Sequence, residues 1–124
     1  MRIVIAEDDP LIRLDLLQIL RGAGHEVCGE ARDGVEAVTA CLREQPDLAI
    51  LDVNMPRLDG FEAARRICEV RALPVLVLTG MRDARVWGEA VGHGIRGAFL
   101  HKPFSEAGLL AAVDEAARRV PLGR

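Results

Sequence analysis

Five short apolar runs punctuate the chain: RIVIA (2–6), EVCGEA (26–31), LAIL (48–51), PVLVLT (74–79) and GAFL (97–100). Each has the length of a strand and is bounded by turn-forming or charged residues. The segments between them carry apolar residues at helical spacing. Ile12, Leu16, Ile19 and Ala23 share one face, Phe61, Ala64, Ile67 and Cys68 another, and Leu109, Leu110, Val113 and Ala117 a third. Helix boundaries are marked as well. Asp9-Pro10 reads as an N-cap followed by Pro at the first helical position, and Gly22 and Gly24 end that helix. Asp33-Gly34, Asp59-Gly60 and Ser105-Glu106 open later ones.

Strands alternating with helices predict an α/β fold with a parallel sheet of five strands and five helices. Runs 1, 3 and 4 are apolar throughout, as central strands covered on both faces must be. EVCGEA alternates and carries two glutamates, which suits an edge, and the short GAFL suits the other edge. The order 2-1-3-4-5 with right-handed crossovers meets these constraints, a flavodoxin-like doubly wound sheet.

Composition narrows the class of function. The 124 residues suit one domain, expected to span 1–124 with no output domain in the chain. The core is built of Leu, Val and Ala, because aromatics are scarce and Tyr is absent. A net charge of -3 argues against a free-standing nucleic-acid binder. No apolar run approaches a membrane span, and the N-terminus lacks a signal-peptide pattern, so a cytoplasmic location is expected. Cys28, Cys41 and Cys68 lack metal-site spacing and read as free thiols.

Candidate chemistry gathers where the strands end. Ligands of open parallel sheets bind beyond the carboxyl ends, at the point where strand order reverses. The first run ends in Glu7-Asp8-Asp9, the third in Asp52, the fourth in Thr79-Gly80 and the fifth in Lys102-Pro103. Clustered acids need a cation, and hard oxygen donors select Mg²⁺. A hydroxyl and an ammonium beside them suit phosphoryl oxygens. Together these point to phosphoryl transfer onto a carboxylate. Taken singly each residue has an ordinary role: Asp9 a helix cap, Thr79 a strand residue, Lys102 a surface lysine. It is their convergence on four strand ends that favours a site.

Four motifs, AEDDPLIR, LDVNMPRLDG, LTG and FLHKPF, together resemble the receiver domain of bacterial two-component response regulators over essentially the whole chain. The resemblance implies a phosphoprotein module rather than a turnover enzyme, phosphorylated by a histidine kinase and catalysing its own phosphorylation and dephosphorylation. Asp52 would be the phosphoacceptor. Mg²⁺ would be held by the carboxylates of Asp8 and Asp52, the backbone carbonyl of Asn54, and Glu7 through water. Thr79 and Lys102 would bind the phosphoryl oxygens, Lys102 next to a Lys-Pro bond that is often cis in the family. Phe99 matches the aromatic switch position, and Glu7 stands where Asp is commoner. The switch would act on the surface of the fourth helix, fifth strand and fifth helix, through which a homodimer could form. The stretches from AEDDPLIR to EARDG and KPFSEAGLLAAVDEA look most like receivers of RNA-binding antiterminator regulators, whose output lies outside this chain.

Two competing readings are weaker. A haloacid-dehalogenase-like phosphohydrolase also uses a strand-end Asp and Mg²⁺, but resembles D-x-D, whereas this chain has Asp52-Val53-Asn54. A pseudo-receiver that no longer accepts phosphate would not need the full set of acids, Thr and Lys. GHGIRG matches a dinucleotide glycine pattern but lies between a helical segment and a strand, the reverse of that site's order. Gly88, Gly92 and Gly94 weaken the fourth helical segment, or fit it for movement. His25, His93 and His101 read as surface residues and Trp87 as half-buried packing.

Overall fold

The computed structural model describes residues 1–80 and 97–118. Five parallel strands, β1 (Arg2–Ala6), β2 (Glu26–Ala31), β3 (Leu48–Asp52), β4 (Val75–Thr79) and β5 (Gly97–His101), form one sheet in the order β2-β1-β3-β4-β5. Four helices lie among the described residues: α1 (Pro10–Gly22), α2 (Gly34–Glu44), α3 (Gly60–Val70) and α4 (Glu106–Arg118). The helical segment expected between β4 and β5 lies outside them, as do Trp87, His93 and three of the glycines noted above. The apolar runs therefore fall on the strands to within a residue.

Period-two alternation along the strands divides the core. Ile3, Ile5, Leu48, Ile50, Leu76, Leu78 and Ala98 face one way, where Leu16 and Leu20 of α1 and Leu109 and Val113 of α4 cover them. Val4, Ala6, Ala49, Leu51, Val75 and Val77 face the other way, against Ala37 and Cys41 of α2 and Phe61, Ala64 and Ile67 of α3. Both faces of β3 and β4 are buried along their length, while β2 at the edge is exposed or half-buried up to Ala31. One expected face needs correction. Ala23 is exposed as the C-cap of α1, and fully buried Leu20 takes the place assigned to it, because the helix ends at Gly22.

Each described helix start is capped by a polar side chain. The carboxylates of Asp9, Asp33 and Asp59 accept backbone N–H groups at the starts of α1, α2 and α3. Ser105 Oγ accepts from Gly108 N at 2.9 Å at the start of α4. These caps fix where each strand-to-helix loop turns over the carboxyl edge of the sheet. Gly97, at φ +151, lets β5 lie against β4: a Cβ there would stand 1.7 Å from the Val75 carbonyl oxygen.

Candidate functional site

Strand order reverses between β1 and β3, so α1 and α3, which follow those strands, depart to opposite faces and leave a crevice above the two strand ends. Glu7, just beyond β1, still donates its amide to Ala31 O at 3.0 Å, which keeps it on the sheet and fully buried. Its neighbour Asp8 is exposed. Asp9 is consumed as a cap, Oδ1 accepting from Leu11 N at 2.9 Å, while its own amide donates to Glu7 Oε2 at 3.2 Å. Asp52 ends β3 at 3% exposure. The carboxylates of Glu7, Asp8 and Asp52 each offer an oxygen within 4.8 Å of the others.

The countercharge arrives from β5. The amide of Lys102 donates to Thr79 O at 2.9 Å, continuing the ladder one residue beyond paired Thr79 and His101. That register aims the side chain back across the edge, where Nζ lies 2.7 Å from Glu7 Oε1 and 3.1 Å from Asp52 Oδ1. The Lys102-Pro103 peptide is cis. A cavity of about 270 Å³ adjoins this point, lined by Ile12, Asp15, Lys102, Pro103 and Phe104.

Burial sets the electrostatics. Desolvation, reinforced by the charge of Asp52 and opposed by Lys102, pushes the Glu7 carboxyl up to about 7. Burial also works against the Lys102 ammonium, but its bonds to Glu7 and Asp52 outweigh that and raise its pKa. Glu7 Oε1 is buried without a hydrogen-bond partner among the described residues, although Nζ is at ion-pair distance. An oxygen-only cluster of three carboxylates, with one ammonium against them, fits a hard divalent cation.

Thr79 is buried at the end of β4. Half-buried Phe99 packs against Phe61 of α3, ring centroids 6.2 Å apart and planes tilted by 50°. Asn54 is exposed in the loop two residues past Asp52. Thus Glu7, Asp8, Asp52 and Lys102 converge directly, with Thr79 joined through the Lys102 amide, while Phe99 sits on the α3 side of the sheet. Two features escaped sequence reasoning. Lys102 bridges both buried acids rather than facing Asp52 alone, and Arg13 braces β1 by donating from Nη1 to Glu7 O at 2.7 Å. The position of Arg13, one turn into a helix that follows a strand-end acid, was the available clue.

Parallel topology with carboxylates at the switch point and a lysine from the far strand defines a flavodoxin-like domain with an acidic pocket. The model of the response regulator receiver domain matches residues 3–114, and the chain belongs to that family. Among curated proteins it is 45% identical over 118 residues to the transcriptional regulatory protein PdtaR of Mycobacterium tuberculosis, covering 95% of this chain. The match spans 57% of that relative's length. Among solved structures, the receiver domain of the response regulator NarL from M. tuberculosis superposes with TM-score 0.88 at 30% identity, covering 99% of this chain and 97% of that one. The receiver domain of sensor histidine kinase PA1611 from Pseudomonas aeruginosa, whose cleft coordinates a magnesium ion, gives 0.83 at 28% identity, covering 94% and 97%. Receiver domains are signalling domains phosphorylated by histidine kinases, and they bind Mg²⁺ at an acidic pocket. Glu7, Asp8 and Asp52 form an acidic cluster at the carboxyl edge of the sheet here.

Proposed function

We propose that this chain is a single receiver domain that accepts a phosphoryl group on Asp52 from a histidine-kinase phosphohistidine, or from a small acyl phosphate. A carboxylate oxygen of Asp52 attacks phosphorus in line. The bond from phosphorus to the imidazole nitrogen, or to the acyl oxygen, breaks as the new P–O bond forms. Mg²⁺, which Asp8, Asp52 and the Asn54 carbonyl would hold with Glu7 acting through water, would supply positive charge to offset the acids and the phosphoryl oxygens. Lys102 keeps the deprotonated acceptor beside its ammonium and then pairs with the transferred oxygens. The Thr79 hydroxyl hydrogen-bonds one of them.

The observation that carries this reading is the placement of Lys102 Nζ within ion-pair distance of two buried carboxylates at the switch point. Movement of Thr79 toward the phosphoryl group and rotation of Phe99 would change the surface of β5, α4 and the segment before β5. That surface could serve a homodimer. A cytoplasmic location suits the kinase partner, and a similarity to PdtaR over a little more than half of that relative's length suits an output carried elsewhere. An RNA-binding antiterminator output is the proposal for the whole protein, with no direct nucleic-acid contact by this domain. The family match does not favour the phosphohydrolase alternative.

Incubation with acetyl phosphate and Mg²⁺, read by intact mass, tests this. The wild type should gain one phosphoryl group and Asp52→Ala none. Uptake by Asp52→Ala, or none by the wild type, contradicts the assignment.

A further inference from the structure

The loop that follows Asp52, residues 53–59, is fixed at both ends. Val53 donates to Leu78 O at 2.9 Å, and Gly60 donates back to Val53 O at 3.0 Å. Gly60 presses so closely on the acceptor's backbone that a Cβ would lie 2.3 Å from Asp52 O. Between these anchors the chain makes an unusual turn. Arg57 has φ +68, a left-handed conformation rare for a side chain of its size. Leu58 donates to Pro56 O at 2.7 Å across it, closing a three-residue turn of the strained kind. A turn of this type persists only where its surroundings over-determine it.

Two contacts with the start of α2 supply that constraint. Arg57 Nη1 reaches Asp33 Oδ2 at 3.2 Å. The Asp33 side chain is only 9% exposed, and its other oxygen accepts from Glu36 N at 2.8 Å as the cap of α2. Beside it, Gly34 admits the Leu58 backbone, since a Cβ there would stand 2.0 Å from Leu58 O. The β3–α3 loop is thereby tied to a helix that the phosphoryl-transfer chemistry does not otherwise use. Asn54, the proposed backbone donor to the cation, lies between the Asp52 anchor and this tie.

We infer that Asp33 and Arg57 are positioning residues for cation binding, a clamp holding the 53–59 loop in the shape that presents the Asn54 carbonyl beside Asp52. The inference rests on the proposed Mg²⁺ site. It assigns α2 a part in the chemistry, through its cap residue. Arg57 is largely exposed, so its removal should change the loop's shape more than the stability of the fold.

The test measures Mg²⁺ affinity of the unphosphorylated chain by titration calorimetry, with amide exchange of Asn54, Met55, Arg57 and Leu58 in Mg²⁺-free buffer. Asp33→Asn keeps a cap acceptor but loses the charge. Arg57→Ala and Asp33→Asn should each weaken Mg²⁺ binding about tenfold, the usual scale for a group that orients a ligand. The double variant should be no weaker than either single one, and loop amides should exchange faster in all three while the melting temperature stays close to wild type. Unchanged affinity in Arg57→Ala, or losses that multiply in the double variant, would overturn the clamp. Wild type that binds no Mg²⁺ would overturn the proposed site as well, which separates the two failures.

Discussion

The most consequential contact in the molecule is Lys102 Nζ lying between Glu7 and Asp52, because two carboxylates this deeply buried would otherwise repel without screening. Removing one partner of a buried charge cluster leaves the others uncompensated. Lys102→Ala should therefore destabilise the Mg²⁺-free domain by on the order of 2 kcal/mol at pH 8, and by less at pH 5, where Glu7 takes up a proton. Urea unfolding at the two pH values measures the difference. Glu7 sets its own pH dependence. Its carboxyl titrates near 7 in the folded chain against 4.5 for an unperturbed Glu, so the native state binds the extra proton across that interval. Stability supplied by this proton is complete below the lower value and is lost as pH rises through the upper one. Glu7→Gln should flatten this segment of the stability profile. Cation binding carries the same linkage with opposite sense: Mg²⁺ must displace the proton, so its affinity should weaken by up to about tenfold per unit as pH falls below 7. Mg²⁺ titrations at pH 6 and 8 check it, and equal affinities would count against Glu7 as part of the site. At this scale the acids were legible because strand-end carboxylates stand out against apolar runs. The bridging role of Lys102 was not, since side-chain reach across three strands depends on a register that no local pattern records.

Among the elements, the strands were read most accurately, as each is an apolar run with clear ends, and the caps Asp9, Asp33 and Asp59 placed three helix starts. The face of α1 was read less well. Helical spacing alone put Ala23 on the buried side, whereas chain termination at Gly22 leaves it exposed and gives the position to Leu20. Nor does the sequence announce that α3 begins in contact with the acceptor strand. Gly60 starts α3 against Asp52 O, so Gly60→Ala should force the 53–59 loop away from β3. Overpacking of this kind costs about 1–3 kcal/mol. Urea denaturation should show that loss, and phosphorylation by acetyl phosphate should slow at the same time. A Gly22→Ala control, whose new Cβ meets nothing within 4 Å, should leave both close to wild type.

Across the whole molecule, the two helix layers bury opposite faces of one sheet, and Glu7, Asp8, Asp52, Thr79 and Lys102 lie along its carboxyl edge while Phe99 packs on one face. Among the described residues no helix is long and apolar enough to cross a membrane. A ligand that bridges strand ends β1, β3, β4 and β5 should stabilise the fold as a unit. Mg²⁺ with beryllofluoride at about 100 times its dissociation constant should add about 2.7 kcal/mol to unfolding, seen as a raised melting temperature that Asp52→Ala does not show. The fold class and sheet order were legible because alternation and strand polarity are properties of the entire chain. The packing of Phe99 on Phe61 was not, because it joins residues far apart in sequence. Whether phosphate lands on Asp52 can be read by borohydride trapping after reaction with acetyl phosphate and Mg²⁺. Reduction of an aspartyl phosphate leaves homoserine, which peptide mapping can locate. Homoserine at position 52 alone is the predicted result; homoserine at position 8, or none anywhere, would contradict it.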